Sequence, residues 1–242
     1  MNTKIIQNDI NTIHVSNFRL CLKSCYNYGM NLDILSIVIV FVIILVSMIL
    51  HEMAHAYVAY FLGDTTAKDE GRLSPNPLVH IDPIMSIVVP LLLFISGGPV
   101  FGGAKPVPID RRNLKGGPWG MALVAVAGPL MNFIIAFATF MFGHFTGLIY
   151  HYDFAFLVIK QIIVTNLGFM VFNLIPIPPL DGSRILYAIA PDGVRDFMER
   201  MEYTTGMIVV FVMVYFFSGA LSVYLSGAIN GICSFFYFLV GN

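Results

Sequence analysis

Charge is what this sequence has least of. Of its 242 residues, 13 are Lys or Arg and 14 are Asp or Glu, a charged fraction of 11%. A soluble globular domain carries about 25%. The net charge is −1, no basic stripe runs along the chain, and no nucleic-acid partner is expected. Cysteine is scarce too. Cys21, Cys25 and Cys233 make no disulfide framework. Cys21 and Cys25 read as ordinary thiols near a membrane surface rather than a metal site. The first 30 residues lack the basic start, apolar stretch and small-residue cleavage site of a signal peptide. There is no internal repeat and no soluble accessory domain.

What fills the chain instead is apolar: 57% of it is hydrophobic. Several runs approach or exceed the roughly 20 residues that a spanning helix needs. The expected fold is an all-α polytopic membrane protein, with about five transmembrane helices plus a re-entrant segment carrying a short β element. Residues 34–62, 119–143 and 154–175 read as spans. Residues 206–240 read as one span plus an interfacial helix, or as two short spans interrupted at Ser226-Gly227. Residues 1–30 form an N-terminal arm, unless translation starts at Met30. Residues 31–205 are expected to form the membrane core, and 206–242 the C-terminal transmembrane or interfacial helices.

Residues 84–104 are apolar but broken by Pro90, Gly97, Gly98, Pro99, Gly102 and Gly103. If they dip into the membrane and return, Lys68 and Arg72, then Lys105, Arg111, Arg112 and Lys115, then Arg184, Arg195 and Arg200 share one face. Basic loops collect on the cytoplasmic side. Lys4, Arg19 and Lys23 fall on the opposite side, a conflict that a start at Met30 removes. Lys160, near the outer end of its helix, is expected to snorkel outward. The polar loop and Gly97–Gly103 offer a water entrance from the cytoplasm.

Near the end of the first apolar run stands L-H-E-M-A-H-A, residues 50–56. Ionisable side chains inside a membrane segment are rare and functional by default. His51 and His55, four apart, lie one turn apart on one helix face. That spacing lets two imidazoles grip one zinc ion, with Glu52 placed to take a proton from its water. Catalytic zinc needs a third protein ligand. His80, His144, His151 and Asp181 are the candidates. His144 and His151 fall in the outer loop, with most of the bilayer between them and the histidine pair. Asp181 arrives from the cytoplasmic end, after N-L-I-P-I-P-P-L, whose prolines break the helix.

Four segments resemble the site-2 protease family of membrane-embedded zinc metalloproteases: L-H-E-M-A-H, S-P-N-P-L-V-H-I-D-P, A-G-P-L-M-N-F and N-L-I-P-I-P-P-L-D-G-S-R, within residues 50–184. The arrangement is similar to compact members without a PDZ or CBS module. The resemblance implies that His51, His55 and Asp181 bind one zinc per chain and that Glu52 is the general base. It implies cleavage of transmembrane protein substrates within or beside a helix, and it supports Asn173 as an oxyanion donor. The chain departs from the family's pattern at Gly103, where relatives are expected to carry an aromatic. That departure bears on loop contacts, not on the metal site.

Asn132 is expected to orient a ligand or a substrate amide. His80 and Asp82 read as a capped turn before Pro83. The stretch A-K-P-V-P-I-D, 104–110, has prolines at alternate positions and reads as an edge strand. Lys105 and Val107 on it are expected to pair with unwound substrate by strand addition. Two other classes compete: a zinc-binding membrane transporter, which needs polar groups along a full pathway, and a non-catalytic metal-binding scaffold.

Overall fold

The computed structural model describes residues 34–83, 88, 103, 105–150 and 154–241, with backbone alone at 203 and 204. The N-terminal arm, most of the expected re-entrant segment and His151 lie outside the described residues. The described residues contain helices and no strand. Residues 105–110 run without a ladder, so the expected short β element is not found there.

Four helices are long and apolar enough to cross a membrane: α1 Ile34–Phe61, α3 Gly117–Phe145, α4 Phe154–Asn173 and α8 Ser218–Leu239. Between them lie the short α2 Thr66–Asp69, α5 Asp181–Ile189, α6 Asp192–Thr204 and α7 Gly206–Phe216. The spans are helical because lipid offers the backbone no partners, so each segment must satisfy its own N–H and C=O groups. In the C-terminal region the helix breaks between α7 and α8, at Phe217, not at Ser226-Gly227. Ser226 stays inside α8 and bonds the carbonyl of Val223. At 11 residues α7 is about 16 Å long, too short to span alone.

Helix α3 sits centrally and packs on α1, α4 and α5. The largest core cluster joins Phe140, Ile159, Leu167, Cys233 and Phe236, so α8 is a core element and not a surface appendage. Lys160 is buried, with Nζ 5.9 Å from the Phe156 ring centroid, and does not snorkel outward. The reason is register. Lys160 shares the α4 face of Phe156, Ile159 and Ile163, which turns into the bundle.

The polar connections gather at one end. Lys105 N–H donates to the His80 carbonyl at 2.8 Å, and Lys115 N–H to the Leu62 carbonyl at 2.9 Å. His80 and Lys105 therefore stand side by side. Asp64, with no exposed surface, clasps the two loops together. It accepts from Asp110 N–H at 2.8 Å, Thr66 N–H at 3.1 Å and Asn113 Nδ2 at 3.4 Å. In the Asp110 turn, side-chain and backbone hydrogen bonds from Arg112 hold the exposed carboxyl down to about 2. The ion pair is fully formed above the ordinary carboxylate range and is lost as pH falls towards that value.

Arg111 reaches both Glu199 and Glu202 of α6, and Glu202 also accepts from Arg184 of α5. Replacing Glu202 by Gln leaves Arg111 with Glu199 and takes the Glu202 carboxylate from Arg184. After allowance for solvent screening, the expected cost is about 1 kcal/mol, a fall in thermal midpoint of about 2–4 °C, with metal content unchanged.

Candidate metal centre

Helix α1 carries His51 and His55 on one face, both 6% exposed. Their rings meet edge to face with centroids 4.7 Å apart. Asp181 arrives from the other side of the bundle. After α4 the chain turns through Leu174–Leu180, with a cis peptide between Pro178 and Pro179, and re-forms a helix at Asp181. Glycine is required next. A Cβ on Gly182 would lie 2.2 Å from the Leu174 carbonyl oxygen and 2.7 Å from that of Ile175. The fold-back that delivers Asp181 therefore rests on the Asp-Gly pair. At the first turn of α5 the carboxylate also lies at the favourable end of the helix dipole.

Three ligand atoms converge. Asp181 Oδ2 stands 3.2 Å from His51 Nε2 and 3.4 Å from His55 Nε2. The two Nε2 atoms are 3.1 Å apart. Tetrahedral zinc ligands bonded at about 2.0–2.1 Å stand roughly 3.3–3.4 Å from one another, so the triangle has the size that zinc requires. Its chemistry fits as well. Asp181 Oδ2 is buried and receives no hydrogen bond.

The far nitrogens of both rings are spoken for. His55 Nδ1 bonds the Val124 carbonyl at 2.7 Å. A carbonyl only accepts, so the proton is on Nδ1, and the neutral imidazole presents its Nε2 lone pair inward. His51 Nδ1 bonds Asn132 Oδ1. Three lone pairs thus face one point, an arrangement that a cation stabilises. Gly128 of α3 completes the cradle. A Cβ there would lie 2.4 Å from His55 Nε2 and 2.5 Å from His51 Nε2.

Glu52, half-buried, is the next residue on α1, and its Oε2 accepts from Val107 N–H at 3.1 Å. Val107 is itself buried against Ala56 and Ala67. Lys105 is exposed. Asn173 turns one amide hydrogen to the Phe169 carbonyl, 3.0 Å away on its own helix. Asn132 stands behind His51, fully buried, where sequence reasoning expected a ligand-orienting or substrate-facing amide. His80 is buried and donates from Nε2 to the Ser74 carbonyl, and His144 pairs with Tyr150. Neither belongs to the metal group. Sequence reasoning missed Asn166 and Ser47, which extend the hydrogen bonds behind Asn132. Their signal was available as polar side chains in otherwise apolar spans.

A buried donor triangle with an adjoining carboxylate, set among helices long and apolar enough to cross a membrane, is what a zinc hydrolase of the membrane requires. Comparison with known proteins makes this more particular. The chain is 42% identical over 183 residues to "Putative zinc metalloprotease YwhC" of Bacillus subtilis (strain 168), covering 70% of this chain and 77% of that protein. It is 32% identical over 157 residues to "Putative zinc metalloprotease Rip2" of Mycolicibacterium smegmatis, covering 61% of this chain and 57% of the relative. "Zinc metalloprotease MJ0392" of Methanocaldococcus jannaschii is 28% identical over 151 residues, covering 62% of this chain and 34% of the relative. The chain belongs to the zinc metalloprotease family of which YwhC is a member, and zinc is its cofactor. No family model matches the chain, and no solved structure matches it significantly.

Proposed function

We propose that this protein is an intramembrane zinc endopeptidase of the site-2 protease type, cutting peptide bonds in or beside a transmembrane helix of its substrate. The observation that supports this reading best is the His51, His55 and Asp181 triangle, built inside the bundle with two ligands on an apolar spanning helix. These three residues hold the metal. Zinc, when bound, supplies Lewis acidity, making water acidic near neutral pH and polarising a carbonyl.

Glu52 is the general base. Its carboxylate takes a proton from the attacking water and passes it to the departing amine as the C–N bond breaks. Asn173 donates its second amide hydrogen to the developing oxyanion, the first being held by Phe169. Loops 63–83, 105–118 and 174–205 meet at the end from which Asp181 arrives, and they carry most of the basic residues. This supports a site facing the cytoplasm.

A helical substrate must unwind before it can be cut. Residues 105–108 supply an extended partner for it, though none of their backbone donors is unclaimed. Pro106 and Pro108 have no N–H, Lys105 N–H serves His80, and Val107 N–H serves Glu52. Substrate pairing here rests on the carbonyls, or on exchange of Glu52 for a substrate carbonyl at Val107. Val107→Pro is expected to abolish cleavage while zinc is retained; normal turnover by that variant would refute exchange at Val107 N–H and leave pairing to the carbonyls alone.

The whole reading is tested with purified protein in detergent and a panel of single-span substrates. One zinc per chain and cleavage near the apolar segment are expected, lost on chelation and restored by zinc. Full turnover from metal-free protein would overturn it.

A further inference from the structure

Behind the metal group runs a line of buried amides that the reaction itself does not use. Asn132 Nδ2 of α3 donates to Asn166 Oδ1 of α4 at 2.9 Å. Asn166 Nδ2 donates to Ser47 Oγ of α1 and to the Ile162 carbonyl, each at 2.9 Å. Asn132 and Asn166 have no exposed surface, and Ser47 is 4% exposed. None of these groups has water to fall back on, so each bond is expensive to break.

The line has a direction. The Ile162 carbonyl accepts and cannot donate, so it must face the NH2 of Asn166. The Asn166 oxygen must then face Asn132, and Asn132 must answer with its NH2. Its own oxygen is left pointing at His51 Nδ1. That nitrogen must carry the proton, so in the neutral imidazole the lone pair falls on Nε2, towards Asp181. His55 reaches the same tautomer in one step through the Val124 carbonyl. His51 has no backbone carbonyl as its partner, and it borrows one from α4 across three hydrogen bonds.

We propose that Asn166 is a positioning residue for the metal site, fixing the tautomer of His51 through Asn132, with Ser47 holding its amide in place. This rests on the assignment of His51 as a zinc ligand. Partners that orient a ligating imidazole are worth about 10–100-fold in metal affinity.

The test uses the full chain in detergent. Zinc affinity is measured by chelator competition, and the imidazole nitrogen-15 shifts of the metal-free protein are read at His51 and His55. In the wild type, His51 is expected as the Nδ1–H tautomer. Asn166→Leu is expected to weaken zinc binding about 10–100-fold and to turn His51 into a tautomer mixture, while His55 is unmoved. If leucine prevents folding, Asn166→Ala removes the amide without adding bulk and gives the same reading. Zinc affinity within about threefold of wild type, or an Nε2–H tautomer in the wild type, overturns the proposal. A wild type that binds no zinc refutes the protease reading instead, and the shifts still report on the relay.

Discussion

Gly128→Ala is expected to empty the protein of zinc. The added methyl carbon would stand 2.4–2.6 Å from three imidazole atoms, two of them the Nε2 ligands. Neither ring can step aside cheaply. His55 is pinned at Nδ1 by Val124, and His51 by Asn132. Either α3 moves away from α1, or the rings turn and break their outer bonds. Both routes spoil the triangle, and the loss in zinc affinity should reach about a hundredfold or more. Overpacking of this kind costs about 1–3 kcal/mol, so the protein should still fold, with a lowered thermal midpoint. Gly168→Ala on α4 is the control, because nothing lies within 4 Å of its new Cβ. Metal analysis of the two variants decides the matter. Stoichiometric, tightly held zinc in Gly128→Ala would show that the ion sits elsewhere.

Glu52→Gln is the second large effect. The amide keeps the size of the carboxylate, and its oxygen still accepts from Val107 N–H. The three ligand atoms are untouched. Zinc content should therefore stay at one per chain while turnover falls about 10²–10⁴-fold, the usual worth of a positioned base. The same variant separates a protease from a metal transporter. A transporter gives Glu52 no special part and should continue to move metal. Retained cleavage, or zinc lost along with it, would remove Glu52 from the role of base.

The histidine pair could be read from the chain because its geometry is local: four residues make one helical turn. The spans could be read because lipid permits little else over 20 apolar residues. The break at Phe217 could not. No proline marks it, whereas Ser226-Gly227, which did look like an interruption, is absorbed into α8 by a bond to the Val223 carbonyl. The burial of Lys160 depends on which face of α4 turns inward, which its local apolar pattern does not show. Asn132 was visible as a polar residue in a span. The pairing was not, because Asn166 stands 34 positions away and meets Asn132 only in one register of α4 against α3. Alternating prolines suggested an edge strand at 105–110, where no ladder forms, and an acceptor as distant as Glu52, 55 positions from Val107, leaves no trace in local pattern.

The clasp at Asp64 sets a limit on how this enzyme admits anything. Swinging 105–113 outward as a flap would take the Asp110 N–H and Asn113 Nδ2 donors from Asp64 and leave it those of Thr66 alone, at about 1.5–3 kcal/mol for each bond lost. Such an open form would hold less than about 1% of the molecules at equilibrium. Traffic to the metal must then pass by hinges placed outside that stretch, with the stapled loops serving as the fixed frame of the doorway.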